Sequence, residues 1–419
     1  MNYQHQSLQI GLFGFGCVGQ GLYDILNKNK NFPANIVKIC VKHPEKQRPI
    51  AAENFTFCAA DILDNPDINM VVELIDDADE AYTIVSQALK KGKTVVTANK
   101  KMLAEHLPTL IELQFKYQTA LLYEASACGS IPIIRTLEEY YDNEHLYSVS
   151  GIFNGSTNFI LSKIIKENLS YEQALKQAQE LGFAESNPML DVGGFDPKFK
   201  LCIIALHAFG ILIAPEKVFN YGIEQFSLQD LQYAKEKGYQ IKLIAQAEKT
   251  ANGKVALFLM PQFISASHPL YHVENETNGV IVEAAFSQKQ IFIGKGAGGH
   301  PTGSAVLSDI SASLYHYRYE YKKKLHQKAP EITEKILLEV YIRYENDADL
   351  ELISLKEISE KYASKDYKYV IALIGLDSLR KNKEFLQERG IFIAYTGKKI
   401  DMEQSTLDIL TEDLVLEEN

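Results

Sequence analysis

Near the start of the chain an apolar run, Leu8-Gln9-Ile10-Gly11-Leu12-Phe13, gives way to Gly14-Phe15-Gly16-Cys17-Val18-Gly19 and then to the amphipathic Gln20-Gly21-Leu22-Tyr23-Asp24-Ile25-Leu26. A strand, a glycine turn and a helix in that order admit few folds. Gly14 permits the tight turn, Gly16 lets the backbone approach a pyrophosphate, and Gly19 lets the helix pack close to the strand. The first N–H groups of the helix then point at phosphates. Glycine turns also serve as plain turns, but this placement favours a dinucleotide cradle built from Gly14, Phe15, Gly16, Cys17, Val18 and Gly19. The expected cofactor is a nicotinamide or flavin dinucleotide.

A chain of 419 residues is long for one core, so two or three domains are expected. Its formal net charge of −11 leaves no basic excess for neutralising phosphates, which argues against a nucleic-acid partner. Five cysteines (Cys17, Cys40, Cys58, Cys128, Cys202) show no metal-ligand spacing and read as reduced thiols. No run of apolar residues is long enough to span a membrane, and the polar, uncharged start is unlike a signal peptide. Cytoplasm is the expected setting.

From the fingerprint to about residue 135, strand-like runs at Ile36 to Val41, Met70 to Ile75, Thr94 to Thr97 and Ala120 to Tyr123 alternate with helical patterns such as Asp79 to Lys91. Such alternation predicts an α/β domain with a parallel sheet. A second texture begins at Leu146. Candidate strands at Tyr147 to Phe153, Val255 to Met260, Gly279 to Phe286 and Gln290 to Ile293 are interspersed with helices at Ser156 to Glu167, Ser170 to Leu181 and Pro197 to Ile213, an α+β pattern. The glycine-dense Gly294-to-Gly303 segment leads into a helix from Ser304 to about Tyr315, and reads equally as a connector or as a loop over the cofactor. Beyond Pro330, the runs Ile336 to Tyr344, Leu355 to Ala363, Tyr369 to Leu373, Leu379 to Glu388 and Gly390 to Tyr395 suggest βαβαβ in a small appended module.

The segment from Gly182 to Lys200 concentrates chemistry. Asp196-Pro197 reads as an N-cap followed by proline at the first helical position. The helix that follows is apolar on nearly every side, so Lys200 sits in a buried helix on the same face as Asp196. The pair is either a structural ion pair or part of a site, and Glu185 and Asp191 on the preceding loop favour a site. A lysine held by carboxylates can give a proton to an alkoxide as hydride arrives and take it back in reverse. Surplus carboxylate suits a substrate ammonium, hence an amino acid. Asn154-Gly155-Ser156-Thr157-Asn158 ends a strand and opens a helix, where capping and a carboxylate site at the helix N-terminus are both readings. Thr97-Ala98-Asn99-Lys100-Lys101 follows a parallel strand, at the end where such sheets bind ligands.

These motifs together resemble homoserine dehydrogenase. The matching segments are Gly11 to Gly19, Val95 to Lys100, Glu124 to Pro132, Gly151 to Asn158, Glu185 to Lys200 and Gly294 to Gly303, covering about residues 8 to 320. The resemblance implies reversible NAD(P)-dependent interconversion of L-homoserine and L-aspartate 4-semialdehyde, in the pathway to threonine and methionine. It implies Lys200 as general acid/base, Glu185 and Asp196 as substrate-binding, Asp191 as a further site carboxylate, and Lys100 near substrate and nicotinamide. Asn154, Gly155, Ser156 and Thr157 are then expected at the substrate, and Gly303 at the cofactor. A monovalent cation (sodium or potassium) is implied at Glu124, Ala127, Gly129 and Ile131, and the assembly is implied to be a homodimer or homotetramer. The expected division is a Rossmann-type dinucleotide domain (1–135, with 300–322 returning to it), a substrate and oligomerisation domain (136–300), and a C-terminal regulatory module (331–419). Relatives carry a threonine-sensing ACT domain there, but the tail shows Glu345-Asn346-Asp347-Ala348-Asp349 in place of the usual proline-glycine turn, so the module reads as a degenerate one.

The cofactor preference is read from an absence. No acidic residue ends the second strand to hold a ribose hydroxyl; Ile39-Cys40-Val41-Lys42-His43 stands there, with Lys46 and Arg48 beyond. Lys42 suits a 2′-phosphate, so NADP is expected, with NAD possible. Two competing readings are aspartate-semialdehyde dehydrogenase with Cys128 as nucleophile, and a dinucleotide-sensing regulator that retains only the fold.

Overall fold

The computed structural model describes residues 7–184, 186–326, 328–365 and 367–402. The chain divides into two compact units: Met1–Asn143 with Cys202–Pro215 and Gly294–Gln327, and Glu144–Leu201 with Glu216–Ile293 and Lys328–Asn419.

In the first unit six parallel strands, β1 (Leu8–Phe13), β2 (Ala34–Cys40), β3 (Phe55–Thr56), β4 (Met70–Glu73), β5 (Thr94–Thr97) and β6 (Leu121–Leu122), form a sheet in the order β3-β2-β1-β4-β5-β6. Every residue of β4 is buried, as the middle of a sheet covered on both faces requires. The helices Cys17–Lys28, Ala78–Lys90 and Lys100–Tyr117 run between the strands. The strand order reverses at β1 and β4, so the switch point where such sheets take ligands lies at Phe13 and Glu73. The later helix Gly299–Ser313 completes the unit. A Cβ on Gly21 would stand 2.1 Å from the Gly299 carbonyl oxygen, so the two backbones meet directly.

The second unit is built on a ten-stranded mixed sheet. Its strands are β7 (Leu146–Ile152), β8 (Phe219–Asn220), β9 (Gln240–Lys249), β10 (Val255–Ile264), β11 (Thr277–Ala284), β12 (Gln288–Lys295), β13 (Ile336–Arg343), β14 (Leu355–Ala363), β15 (Lys368–Gly375) and β16 (Phe392–Asp401). The order is β12-β11-β7-β9-β10-β16-β13-β15-β14, with β8 beside β10. All ten residues of β10 are buried. A core of Phe219, Phe258, Met260, Val340, Ile342, Ala372, Ile374 and Ile393 draws on strands from both sides of the β10–β16 pairing, and this sharing places the strands β13 to β16 within the second unit.

Three local readings of the sequence are corrected. The helix expected from Pro197 to Ile213 runs Phe195–Phe209, ending where Gly210 turns left-handed at φ +70°. Asp196 and Pro197 therefore lie inside its first turn, not at its cap. Leu355 to Ala363, read as a helix, is the edge strand β14. Irregularities at Leu355/Glu357 and Ile358/Glu360 break its alternation and leave Leu355, Ile358 and Tyr362 at helix-like spacing. The tail thus runs βαββααβ, with the short helix Asp347–Glu351 where a proline-glycine turn was missing.

Candidate functional site

In the first unit a cavity of about 870 Å³ opens at the sheet's switch point, lined by Phe13 to Val18 and Gln20, by Cys40 to His43 and Lys46 to Pro49, and by Leu74 to Asp77. The three fingerprint glycines have separate structural reasons. Gly14 has φ +93°, and a Cβ there would come within 2.5 Å of the Leu74 carbonyl oxygen. A Cβ on Gly19 would sit 2.5 Å from the Gly14 oxygen, while Gly16 faces open space. No side chain caps the Cys17–Lys28 helix at Gly16, and its first turn carries no acidic residue. Its N-terminal N–H groups therefore remain for an anion in the cavity. The loop after β4 is held by Glu73, whose buried carboxylate accepts from the Ile75 N–H at 2.7 Å and from the Thr97 hydroxyl. Burial pushes this carboxyl from 4.5 up to about 7.

Of the residues expected at the cofactor, Gly14, Phe15, Gly16, Cys17, Val18 and Lys42 line the cavity. Gly19 packs beneath the turn. Gly303 is not a lining residue: its Cβ would lie 2.8 Å from Leu22 N, so its smallness serves helix packing. Lys42 is ion-paired with Glu80, which raises its pKa. Arg48 is the better-anchored cation, donating to the carbonyls of His43 and Lys46 at 2.7 Å and stacking over Phe55 at 5.1 Å. Sequence reading had it only as a neighbour, because nothing in the sequence shows a guanidinium folded back on its own loop. Lys100 opens the Lys100–Tyr117 helix, behind an Asn99 cap that accepts from Met102 N.

In the second unit the polar residues of two segments converge. Asn154 caps the Gly155–Glu167 helix, accepting from Thr157 N–H and from the Thr157 hydroxyl at 2.7 Å each. Its amide donates to Asp191 Oδ1 at 2.7 Å and to Asp196 Oδ2 at 2.9 Å. Lys200 Nζ donates to the same Asp196 oxygen at 2.7 Å and to the Phe153 carbonyl at 2.7 Å. Asn154, Asp196 and Lys200 are all buried. The capping asparagine is thus also the hub joining both aspartates to the lysine, a role its N-cap position alone does not reveal. Ser156 donates to the Phe183 carbonyl, and the Thr157 hydroxyl oxygen also lies 3.2 Å from the Asp191 carbonyl. A Cβ on Gly155 would meet the Glu276 carbonyl oxygen at 2.5 Å. Glu185 lies outside the described residues. A buried ammonium on a carboxylate, itself held by an amide, can exchange a proton with a substrate oxygen while the surplus carboxylate faces a cation.

The remaining candidate residues lie in the first unit. Glu124 accepts from the N–H groups of Ile134 and Arg135 at 2.7 and 2.8 Å. Arg135 Nε stands 3.5 Å from Glu124 and 3.8 Å from Asp309. Two buried carboxylates therefore share one guanidinium, and Asp309 Oδ1 has no hydrogen-bond partner among the described residues. Ala127 is buried, Cys128 and Gly129 are both left-handed (φ 56° and 58°), and the Ile131 carbonyl accepts from Ile133 N–H. Burial raises both carboxyls, Asp309 well above its ordinary range, and the orphaned Asp309 oxygen near Glu124 is the feature that fits a small cation. No cluster of three metal-ligating side chains occurs among the described residues.

Comparison with known proteins decides between the readings. Residues 14–124 match the family model for the homoserine dehydrogenase NAD-binding domain, and residues 132–311 match that for homoserine dehydrogenase. The homoserine dehydrogenase of Bacillus subtilis is 36% identical over 322 residues, 75% of this chain and 74% of that one. The chain belongs to the homoserine dehydrogenase family. The Helicobacter pylori homoserine dehydrogenase is 37% identical over 310 residues, 72% of this chain and 73% of its own. Among solved structures, a homoserine dehydrogenase from Thiobacillus denitrificans superposes with a TM-score of 0.78 at 29% identity, covering 94% of this chain and 97% of its own. A hyperthermophilic archaeal homoserine dehydrogenase in complex with NADPH gives 0.65 at 25% identity, covering 74% and 99%. Membership makes the chain an oxidoreductase with an NAD(P)-binding domain, and the aspartate-semialdehyde dehydrogenase and non-catalytic readings fall away. Cys128, the nucleophile of the former, is fully buried. Among the described residues no helix is long and apolar enough to cross a membrane.

Proposed function

We propose that the chain catalyses reversible, NAD(P)-dependent reduction of L-aspartate 4-semialdehyde to L-homoserine, on the path to threonine and methionine. The observation that carries this is the hydrogen-bonded Lys200–Asp196–Asn154–Asp191 constellation, buried at all but Asp191, in a member of this family. In the reductive direction Lys200 gives a proton to the substrate oxygen as hydride reaches the carbonyl carbon, and in the oxidative direction it takes the proton back. Asp196 keeps the ammonium in place, and Asn154 holds both aspartates. Glu185 and Asp196 bind the substrate ammonium, Asp191 completes the set, and the helix start at Gly155, Ser156 and Thr157 faces the substrate carboxylate. Lys100 lies toward the nicotinamide. When bound, the dinucleotide supplies the hydride.

NADPH is the proposed preferred cofactor, on the basic loop at Lys42, Lys46 and Arg48 in the first unit's cavity and on the NADPH-bound archaeal relative. A monovalent cation is proposed at Glu124 with the carbonyls of Ala127, Gly129 and Ile131, where it would favour the ionised form of a carboxyl that burial otherwise pushes up. Cytoplasm is proposed from five cysteines, none of them in a disulfide. A homodimer or homotetramer is proposed on the exposed Ile291 and Ile293 of edge strand β12. Residues 331–419 are proposed as a regulatory module. Steady-state oxidation of NADPH and of NADH with aspartate semialdehyde tests the reaction and the cofactor together. Turnover with a higher kcat/KM for NADPH, lost when Lys42 and Arg48 are both replaced by Ala, is expected. No turnover with either cofactor refutes the reaction, and a preference for NADH unchanged in the double variant refutes the cofactor assignment.

A further inference from the structure

The stretch from Phe219 to Gln225 lies between the turn that carries Asp191 and the C-terminal region of the same unit. On one side its backbone rests directly on the turn. Ile223 N–H donates to the Val192 carbonyl at 2.8 Å, and a Cβ on Gly222 would lie 2.0 Å from that oxygen. Asn220, buried, donates from Nδ2 to the Gly193 carbonyl at 2.7 Å. On the other side the stretch is tied to the tail. Tyr221 donates its hydroxyl to the Ile391 carbonyl, Arg343 donates to the Gln225 carbonyl, and Gln225 donates to the Gln387 carbonyl at 3.3 Å. Both sides meet at Asn220 Oδ1, which accepts from Lys383 Nζ at 2.9 Å and from Lys198 Nζ at 3.2 Å. The same two ammonium groups stand over the Phe195 ring, at 5.2 and 4.7 Å.

Two cations within reach of one amide oxygen repel each other, and both are drawn from water. Burial and the neighbouring Lys198 together lower Lys383 from 10.5 to about 8. As an anchor of the fold the arrangement gains little: the Glu224 and Glu384 carboxylates offset part of the repulsion at Lys383, but an apolar side chain at 383 would cover Phe195 without it. What the arrangement does supply is direction. Lys383 polarises the Asn220 amide, whose N–H grips Gly193, three residues before Asp196 and two after Asp191. The path from tail to aspartates is thus two hydrogen bonds and a few residues of backbone long, and lies within one unit.

We propose that Lys383, supplied by the C-terminal region, is a positioning residue for the acid–base centre, acting through Asn220 on the Gly193 turn that sets Asp191 and Asp196 against Lys200. The proposal rests on the reading of Lys200 as the general acid/base. It makes the tail part of the reaction's geometry in every turnover, whether or not an effector is bound there.

The test is Lys383→Met in the full chain, with Lys383→Arg and Asn220→Ala beside it and Lys200→Ala as reference. For Lys383→Met we expect kcat/KM for homoserine to fall about tenfold, KM for the dinucleotide to stay within about twofold, and the melting temperature to hold or rise. Lys383→Arg should recover most of the loss, and Asn220→Ala should share the defect. A kcat/KM for homoserine within twofold of the parent in Lys383→Met overturns the proposal. So does a fall in melting temperature matched by equal losses for homoserine and dinucleotide, which is the mark of a structural anchor. Should Lys383→Met fail to fold, absence of rescue in a folded Lys383→Arg decides against the proposal. Lys200→Ala keeps the two readings apart: if it retains turnover, the acid/base assignment fails irrespective of Lys383.

Discussion

Lys200 shows how one residue's meaning depends on its neighbours. In sequence it is a cation inside an apolar helix. In the fold its ammonium has two oxygens, from Asp196 and Phe153, and Asp196 in turn is held by Asn154. Replacing Lys200 by Ala is expected to lower kcat by ~10²–10⁴-fold, with NADPH affinity, measured by fluorescence titration, nearly unchanged. A near-parental kcat would reduce the lysine to an ion-pair partner. The lysine and its carboxylates were legible because charge in an apolar helix is unusual; the bridging amide of Asn154 was not, since a capping asparagine looks the same whether or not its N–H groups are used. Glu73 makes a different prediction. Its carboxyl is raised to about 7 in the folded protein, so between 4.5 and 7 the folded state binds more protons than the unfolded one. Its contribution to stability is therefore full below 4.5 and lost as pH rises through 7. Glu73→Gln mimics the protonated form, and denaturant unfolding should show it roughly 1–3 kcal/mol more stable than the parent at pH about 8 and no more stable at pH about 4.5. An equal difference at both pH values would clear Glu73 of this role.

At the scale of elements, period and burial decided which segments could be read. The strands of the parallel sheet announced themselves as unbroken apolar runs, because both faces are covered. β9 escaped notice: Gln240, Lys242, Gln246 and Glu248 make it look polar, yet it pairs along its full length with β10. Its buried Lys242 is accommodated by Asn158 Oδ1 at 3.1 Å and the Val273 carbonyl at 2.6 Å, partners distant in sequence. The edge strand β14 failed for the opposite reason, since irregular pairing imitates helical spacing. The Gly294-to-Gly303 segment is more than a bare connector, because Gly299 and Gly303 let one helix lie on another, Gly299 against Cys17 of the glycine cradle. Gly21→Ala tests that contact. The added methyl meets backbone, which cannot rotate away, so a loss of ~1–3 kcal/mol is expected, read as a lowered unfolding midpoint. An unchanged midpoint would mean that the helices have room to part.

For the molecule as a whole, the tail's strands continue the second unit's sheet through β16 and β10, while the sequence change after Pro330 had suggested a module standing apart. A shift in composition marks a change in local pattern; it does not reveal which strands later share a core. We expect threonine at low millimolar levels to inhibit weakly or not at all, because the helix Asp347–Glu351 stands where an effector turn would need close backbone approach. Strong inhibition that disappears when residues after Pro330 are removed would reverse this. The division of the first unit over three stretches of chain bears on how the protein is made. The helix that bears Gly21 leaves the ribosome well before the Gly299 segment that covers it, by roughly 15–55 s at about 5–20 residues per second. Through that interval a nascent chain holds all the strands of its nucleotide sheet with one helix face bare, so the birth of this enzyme has a waiting period before its own sequence can cover that face.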